Sequence, residues 1–179
     1  MPLEIERRWL LLDGEPDLSS PRAKDMSHFR DIFQFYLQTE SGTLRLRRAG
    51  QEYFMTVKGE KVGASAPEWE VPTEQWVFEK LYSSRIGYTQ KTRTEVRIDG
   101  EVYELDIFSS PAGLVIVELE LHLPQDNPNL ADFLEEEFMT LVLPECFGRN
   151  IEITTDKRYS NFSLALHGLP EGFHKLATT

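Results

Sequence analysis

Apolar and charged residues alternate with a period of two along most of this chain, the pattern of strands with one apolar and one polar face. In Met1-Pro2-Leu3-Glu4-Ile5-Glu6-Arg7-Arg8, for example, Glu4, Glu6 and Arg8 share one face and Leu3 and Ile5 the other. The alternation predicts strands over 3–12, 31–39, 43–48, 52–58, 68–71, 88–98, 101–108 and 114–123. Glu40-Ser41-Gly42 reads as one hairpin turn, and Asp99-Gly100 as the strongest hairpin signal in the chain. Loops are expected over 13–24, with Gly14, Pro16 and Pro21, and from Gly59 to Pro67. Three segments instead carry helical stripes. Thr73 would cap a helix over 74–85 with Val77, Phe78, Leu81 and Tyr82 inward. Asn127-Pro128 would open another, to about 142, with Leu130, Phe133, Leu134 and Phe138, and a last helix would run from Asp156 to His167 and stop at Gly168. Without repeat or linker, residues 1–168 read as one domain and 169–179 as a tail.

The polar faces are segregated by sign. Acids pair as Glu4/Glu6, Glu68/Glu70, Glu104/Asp106 and Glu118/Glu120, and bases as Arg45/Arg47 and Lys91/Arg93, each pair two residues apart within a predicted strand. For one strand, the simplest account is a sandwich face turned to water. Across the set that account weakens, because solvent faces mix signs and include Ser, Thr and Gln freely. If the faces converge they enclose a cavity whose acids could hold a divalent metal and whose bases could hold a polyanion. Val117, Leu119 and Leu121, opposite Glu118 and Glu120, then need cover from helices outside.

Composition narrows the class. The chain has 179 residues, 40% of them hydrophobic, enough for one domain with a real core. A net charge of -11 argues against duplex nucleic acid or an anionic membrane surface as partner. Cys146 stands alone, so neither an intrachain disulfide nor a thiolate metal cluster is expected, in keeping with a reducing cytoplasm. No signal peptide or membrane span is apparent. His28, His122, His167 and His174 lack zinc-ligand spacing, and no glycine-rich phosphate loop occurs. Trp9, Trp69 and Trp76 read as outer-face core, and Arg48 and Arg97 as solvated charges.

Glu4-Ile5-Glu6-Arg7-Arg8 resembles the Glu-x-Glu-x-Lys signature of the CYTH superfamily, the triphosphate tunnel metalloenzymes, except at its last position. Gln34-Phe35-Tyr36-Leu37, Arg45-Leu46-Arg47, Lys58 and Lys91-Thr92-Arg93 resemble further family stretches in the same order. The two later acid pairs follow them, and Glu152-Ile153-Thr154 with Tyr159 and Asn161 resembles the closing segment. The resemblance implies an α+β, mainly antiparallel fold: a closed eight-stranded β-barrel with a charged interior and helices packed outside. It also implies a tunnel that binds triphosphate with Mg2+ or Mn2+.

On that basis Arg8, Arg45, Arg47, Lys58, Lys91 and Arg93 are the expected phosphate ligands, and Glu4, Glu6, Glu118 and Glu120 the expected metal ligands. Glu4, Glu6, Arg8 and Lys91 are the expected catalytic residues. Glu68, Glu70, Glu104 and Asp106 would hold bases or orient water, and Tyr36, Asp156 and Lys157 would stand at the tunnel mouth. Asp156 reads equally as a helix cap, and Tyr36 as packing. Arg8 replaces the family lysine and stays protonated, so it can supply fixed charge but no general base. The expected activity is metal-dependent hydrolysis of inorganic tripolyphosphate to pyrophosphate and phosphate, with a small-molecule triphosphate as partner. The alternatives are a class IV-type adenylate cyclase and a non-catalytic polyphosphate-binding module. Oligomeric state is left open, a homodimer included.

Overall fold

A computed structural model describes residues 4–18, 29–40, 42–58, 68–122 and 136–173; for Glu4, Ile5, Lys58, Glu68, Leu121 and His122 it describes the backbone alone. Eight long strands follow the expected order: β1 (Glu4–Leu11), β2 (Phe29–Thr39), β3 (Gly42–Ala49), β4 (Glu52–Lys58), β5 (Glu68–Pro72), β6 (Gly87–Ile98), β7 (Glu101–Ser110) and β8 (Ala112–His122). A ninth of three residues, β9 (Asn150–Glu152), was not legible in the alternation. All pair antiparallel in one series, β5-β4-β3-β2-β6-β7-β8-β1-β9. The β6–β7 hairpin turns at Asp99 (φ 53°) and Gly100 (φ 97°), two successive left-handed residues of the kind a two-residue hairpin requires.

Register decides which residues share a face, because partners directly opposite in an antiparallel ladder project the same way. The pairs Glu6↔Glu120, Arg8↔Glu118, Glu104↔Glu118, Arg93↔Asp106, Gln34↔Arg47, Tyr36↔Arg45 and Thr56↔Glu70 therefore place every charged pair of the sequence on one continuous sheet face. Lys58↔Glu68 and Glu4↔His122 continue that face along the backbone.

The opposite face is apolar and covered in two places. Trp9, Leu11, Val96, Ile98, Leu105, Val117 and Leu119 pack under Phe138, Leu143 and Phe147, which follow or belong to a helical segment described over 136–140. Phe35, Leu37 and Leu46 pack under Phe78 of the first helix, Gln75–Leu81. Phe35 and Leu46 are fully buried, each contributing about 1.5–3 kcal/mol of transfer free energy.

With the apolar face packed outside, the charged face is nevertheless dry in its middle, although Glu6, Glu70 and Glu120 on it are exposed. Gln34, Thr56 and Asp106 are 0% exposed and Lys91 2%. Among the described residues the only layer over this face is an apolar cap at one end, where Leu10, Phe108, Leu114 and Ile116 meet Ile153, Tyr159, Leu164 and Phe173. The sheet thus curls about its own charges, and the solvent-facing sandwich is set aside. The last helix, Asn161–His167, seats the cap: Phe162 packs edge-on to Tyr36 at 5.2 Å, and Gly87 lies so near the Ala165 carbonyl that a Cβ would sit 2.3 Å from its oxygen.

Several local expectations change. The N-cap of the first helix is Glu74, without a side-chain bond, and not Thr73, whose N–H donates to the Tyr53 carbonyl (2.8 Å). The helix expected over 74–85 ends at Leu81 and continues as a 3-10 turn, Tyr82–Ser84. The last helix is likewise broken. Asp156 caps a 3-10 turn, Lys157–Tyr159, and Ser160 then caps the helix proper by accepting from Ser163 N–H (3.1 Å) before Gly168 ends it. Trp9 is core, whereas Trp69 and Trp76 are 54% and 68% exposed; Trp76 belongs to the covering helix itself, whose buried residue is Phe78. Arg97 is exposed as expected, but Arg48 is half-buried with Nε out of water and unpartnered among the described residues. The expected helix over 127–142 lies partly outside the described residues, as do Leu130, Phe133 and Leu134. Leu169 and Phe173 pack into the apolar cap.

Candidate active site

Three groups of side chains make up the charged face. At its centre Arg93 is surrounded by acids: its Nε and Nη2 bind Asp106 (2.7 and 2.6 Å), and its terminal nitrogens also bind Glu104 and Glu118. Lys91 shares Asp106. Burial, by far the opposing influence, is outweighed by these carboxylates, which raise the Arg93 pKa well above its usual value. Burial depresses the Lys91 ammonium and Arg93 adds to this, so it falls below the ordinary lysine range despite Asp106. For Asp106 burial pushes upward, but Lys91 and Arg93 hold the carboxyl below its ordinary value. Glu104 behaves oppositely: burial, with the charges of Glu118 and Asp106, keeps its pKa raised against the pull of Arg93.

Toward the capped end lie Arg45 and Arg47. Arg45 binds Thr56 Oγ1 through Nε and Nη2 (3.2 and 3.0 Å) and Glu70 through Nη2 (2.9 Å), while the Thr56 hydroxyl donates to Glu70 (2.8 Å). Burial alone would raise the Glu70 pKa, yet Thr56, Arg45 and Arg47 bring it below normal. Arg47 donates from Nε to Gln34 Oε1 (3.1 Å). Its pKa is lowered by burial and by the like charges of Arg45 and Arg93.

Arg8, 8% exposed, reaches the carbonyls of Tyr159 (3.3 Å) and Thr154 (3.4 Å) and lies 3.4 Å from Glu6. The Arg8 carbonyl accepts from Ile153 N–H (2.8 Å), so this residue also ties the closing segment to β1. Glu6 and Glu120 face each other on the next rung, both exposed, at the end of the face remote from the cap.

Of the residues singled out in the sequence, Glu6, Arg8, Tyr36, Arg45, Arg47, Glu70, Lys91, Arg93, Glu104, Asp106, Glu118 and Glu120 share this face. The side chains of Glu4, Lys58 and Glu68 lie outside the described residues; their backbones continue the same rungs. Tyr36 is buried, its hydroxyl accepting from Gln34 Nε2 (3.1 Å). Asp156 is committed to Arg158, binding it from both carboxylate oxygens (2.9 and 2.6 Å), and Lys157 is exposed. Sequence reasoning gave no role to Gln34 or Thr56. Both sit in phase with the charged positions of their strands, a signal that was present but is weak for neutral side chains.

The CYTH domain model matches residues 2–145 of this chain. The chain belongs to the CYTH family. It is 37% identical over 172 residues to a protein named inorganic triphosphatase from Nitrosomonas europaea, covering 91% of this chain and 97% of that one. A second relative of the same name, from Acetivibrio thermocellus, is 29% identical over 167 residues and covers 92% and 94%. A crystal structure of an inorganic triphosphatase aligns over 93% of this chain and 96% of its own, with 34% identity and a TM-score of 0.63. A Hippeastrum protein described as a putative adenylyl cyclase with a dominant triphosphatase activity aligns over 76% of this chain and 86% of its own, with a TM-score of 0.52 at 15% identity, which speaks for the fold alone.

CYTH triphosphatases are metal-dependent in general, and the donor chemistry of this CYTH face fits a hard divalent cation. Among the described residues no three acids or histidines gather into a ready-made cage. A Mg2+-like ion does not need one, since it keeps waters and takes one or two carboxylates with substrate phosphates. Glu6 opposite Glu120 is a pair that could serve in this way. Glu118, one rung inward, is drawn to Arg93.

Proposed function

We propose that this chain is a metal-dependent triphosphatase that hydrolyses inorganic tripolyphosphate to pyrophosphate and phosphate on its curled charged face. The observation that carries this reading is the strand register, which lines up Arg45, Arg47, Lys91 and Arg93 with Glu118 and, at the exposed end, Glu6 and Glu120 on one continuous face. That register supports it in a chain 37% identical to an inorganic triphosphatase. Arg45, Arg47, Lys91 and Arg93, with Lys58 and Arg8, would bind the phosphates; the guanidinium forks match paired phosphoryl oxygens. Glu6 and Glu120, with Glu4 and Glu118, would hold Mg2+ or Mn2+, which when bound supplies charge neutralisation and Lewis-acid polarisation of the phosphoryl group.

In the hydrolysis itself a water oxygen bonds to the terminal phosphorus while the bond to the bridging oxygen breaks, and pyrophosphate leaves with the electron pair. The cations stabilise the charge spread over the phosphoryl oxygens at that moment. Lys91, fixed by Asp106, donates to one of them. The water's proton goes to a carboxylate, and Glu104, whose raised pKa favours holding a proton, is suited to accept it. Arg8 contributes a fixed charge beside Glu6 and cannot accept that proton. Residues 1–168 act as one catalytic domain with a small-molecule substrate in the cytoplasm, without nucleic acid or membrane.

Phosphate release from tripolyphosphate and from ATP, assayed side by side with cyclic AMP, tests the substrate class. Tripolyphosphate should give phosphate and pyrophosphate, and ATP no cyclic AMP. Cyclic AMP from ATP, with tripolyphosphate inert, would overturn the proposal in favour of a cyclase.

A further inference from the structure

The charged face holds its arginines in two ways. Arg45 is ion-paired to Glu70, and Arg93 to Glu104, Asp106 and Glu118. Arg47 differs. Among the described residues its one hydrogen bond runs from Nε to Gln34 Oε1, and it makes no ion pair. Gln34 is fully buried, and its other amide atom, Nε2, donates to the Tyr36 hydroxyl at 3.1 Å. The orientation of the amide follows from chemistry: an arginine Nε–H can only donate, so the atom facing it is the amide oxygen. Gln34 is thus pinned on both sides, and a buried neutral side chain is spent on orienting one guanidinium.

Two consequences follow. Engaging Nε fixes the plane of the fork and leaves both terminal nitrogens for an anion. A neutral acceptor also leaves Arg47 without an ion pair of its own beside the like charges of Arg45 and Arg93, offset only at longer range by Glu70, so an arriving anion meets a charge that no contacting carboxylate has cancelled. We infer that Gln34 is a positioning residue for phosphoryl recognition, holding Arg47 by its Nε through a neutral acceptor so that the guanidinium is oriented but not neutralised before the polyphosphate binds. This rests on the reading of Arg47 as a phosphate ligand.

Gln34→Glu tests it, because it keeps the shape and the acceptor but adds the charge that Gln34 withholds. A carboxylate beside Arg47 relieves the repulsion in the unliganded protein and competes with the substrate. Stability and affinity should therefore move apart: Tm equal to or above wild type, KM for tripolyphosphate raised by about tenfold or more, and kcat at saturation little changed. A side chain that merely packs would move Tm and activity down together. Gln34→Met, near in shape and without the acceptor, should raise KM by about threefold to tenfold with kcat kept, and it decides the matter if the glutamate variant does not fold. In an Arg47→Ala background, Gln34→Glu should change KM no further. Wild-type KM in Gln34→Glu or, where that variant does not fold, in Gln34→Met would overturn the inference. If Arg47→Ala raises KM while the Gln34 variants do not, only the role of Gln34 falls. If Arg47→Ala itself keeps the wild-type KM, the phosphate role of Arg47 falls and this inference with it.

Discussion

Arg7 and Arg8 are adjacent in sequence and opposite in task. Arg7 points into the apolar face, where it forms a two-pronged pair with Glu152 (3.0 and 2.7 Å) and donates to the carbonyls of Phe138 and Leu141 (2.9 and 2.6 Å), so it fastens β9 and the outer cover to β1. Alternation alone places Arg8 with Glu4 and Glu6, but it gives Arg7 no partner, since those partners lie more than 130 residues away. The same limit applies to Asp106. Its face was legible, but its service to both Lys91 and Arg93 depends on the β6–β7 register. Removing that carboxylate takes from buried Lys91 its carboxylate partner and leaves Arg93 with Glu104 and Glu118 alone, so Asp106→Asn should cost about 3–5 kcal/mol in urea unfolding at neutral pH. Because the folded pKa of Asp106 lies below its ordinary 3.8, the stabilisation is complete above 3.8 and lost as pH falls through the lower folded value. The gap between variant and wild type should accordingly close only in acid. Equal stability at neutral pH would show that Lys91 does not need the Asp106 charge.

At the scale of elements, the eight longer strands were readable because each keeps its period of two for four or more residues, and because Asp99-Gly100 fixes one hairpin chemically. What stayed illegible is short or set by distant contacts. β9 has three residues, too few to show a period, and the Thr73 N–H is claimed across the sheet by Tyr53. The seat of the last helix on β6 depends on Gly87, which reads in the sequence as an ordinary strand-end glycine. A Cβ there would meet the Ala165 carbonyl carbon at 2.7 Å as well as its oxygen, and both are backbone, which cannot swing aside. Gly87→Ala should therefore displace that helix and cost about 1–3 kcal/mol, read by thermal unfolding. An unchanged Tm would mean that the helix shifts freely and does not fix the capped end.

For the molecule as a whole, a chain of net charge -11 gathers Arg45, Arg47, Lys91 and Arg93 among acids on one inward-turned face. It does so by turning its charges inward and its apolar residues outward beneath helical cover, the reverse of the usual arrangement of a soluble sheet. Sign segregation along the strands made that inversion legible, and the burial of Gln34, Thr56, Lys91 and Asp106 bears it out. The gradient along the face, from the apolar cap past Arg45 and Arg47 to Glu6 and Glu120, could not be read from sequence because it requires the ladder registers. The central claim is that this face hydrolyses tripolyphosphate with a metal held by the Glu6/Glu120 end. Its most direct test is phosphorus NMR of tripolyphosphate incubated with the wild-type protein and with Glu6→Gln/Glu120→Gln, in Mg2+ or Mn2+ and in excess chelator. The account predicts equal yields of pyrophosphate and phosphate from the wild type with metal, none in chelator, and a turnover about a hundredfold or more lower in the folded double variant. Undiminished hydrolysis in chelator, or tight binding without any hydrolysis in metal, would contradict it.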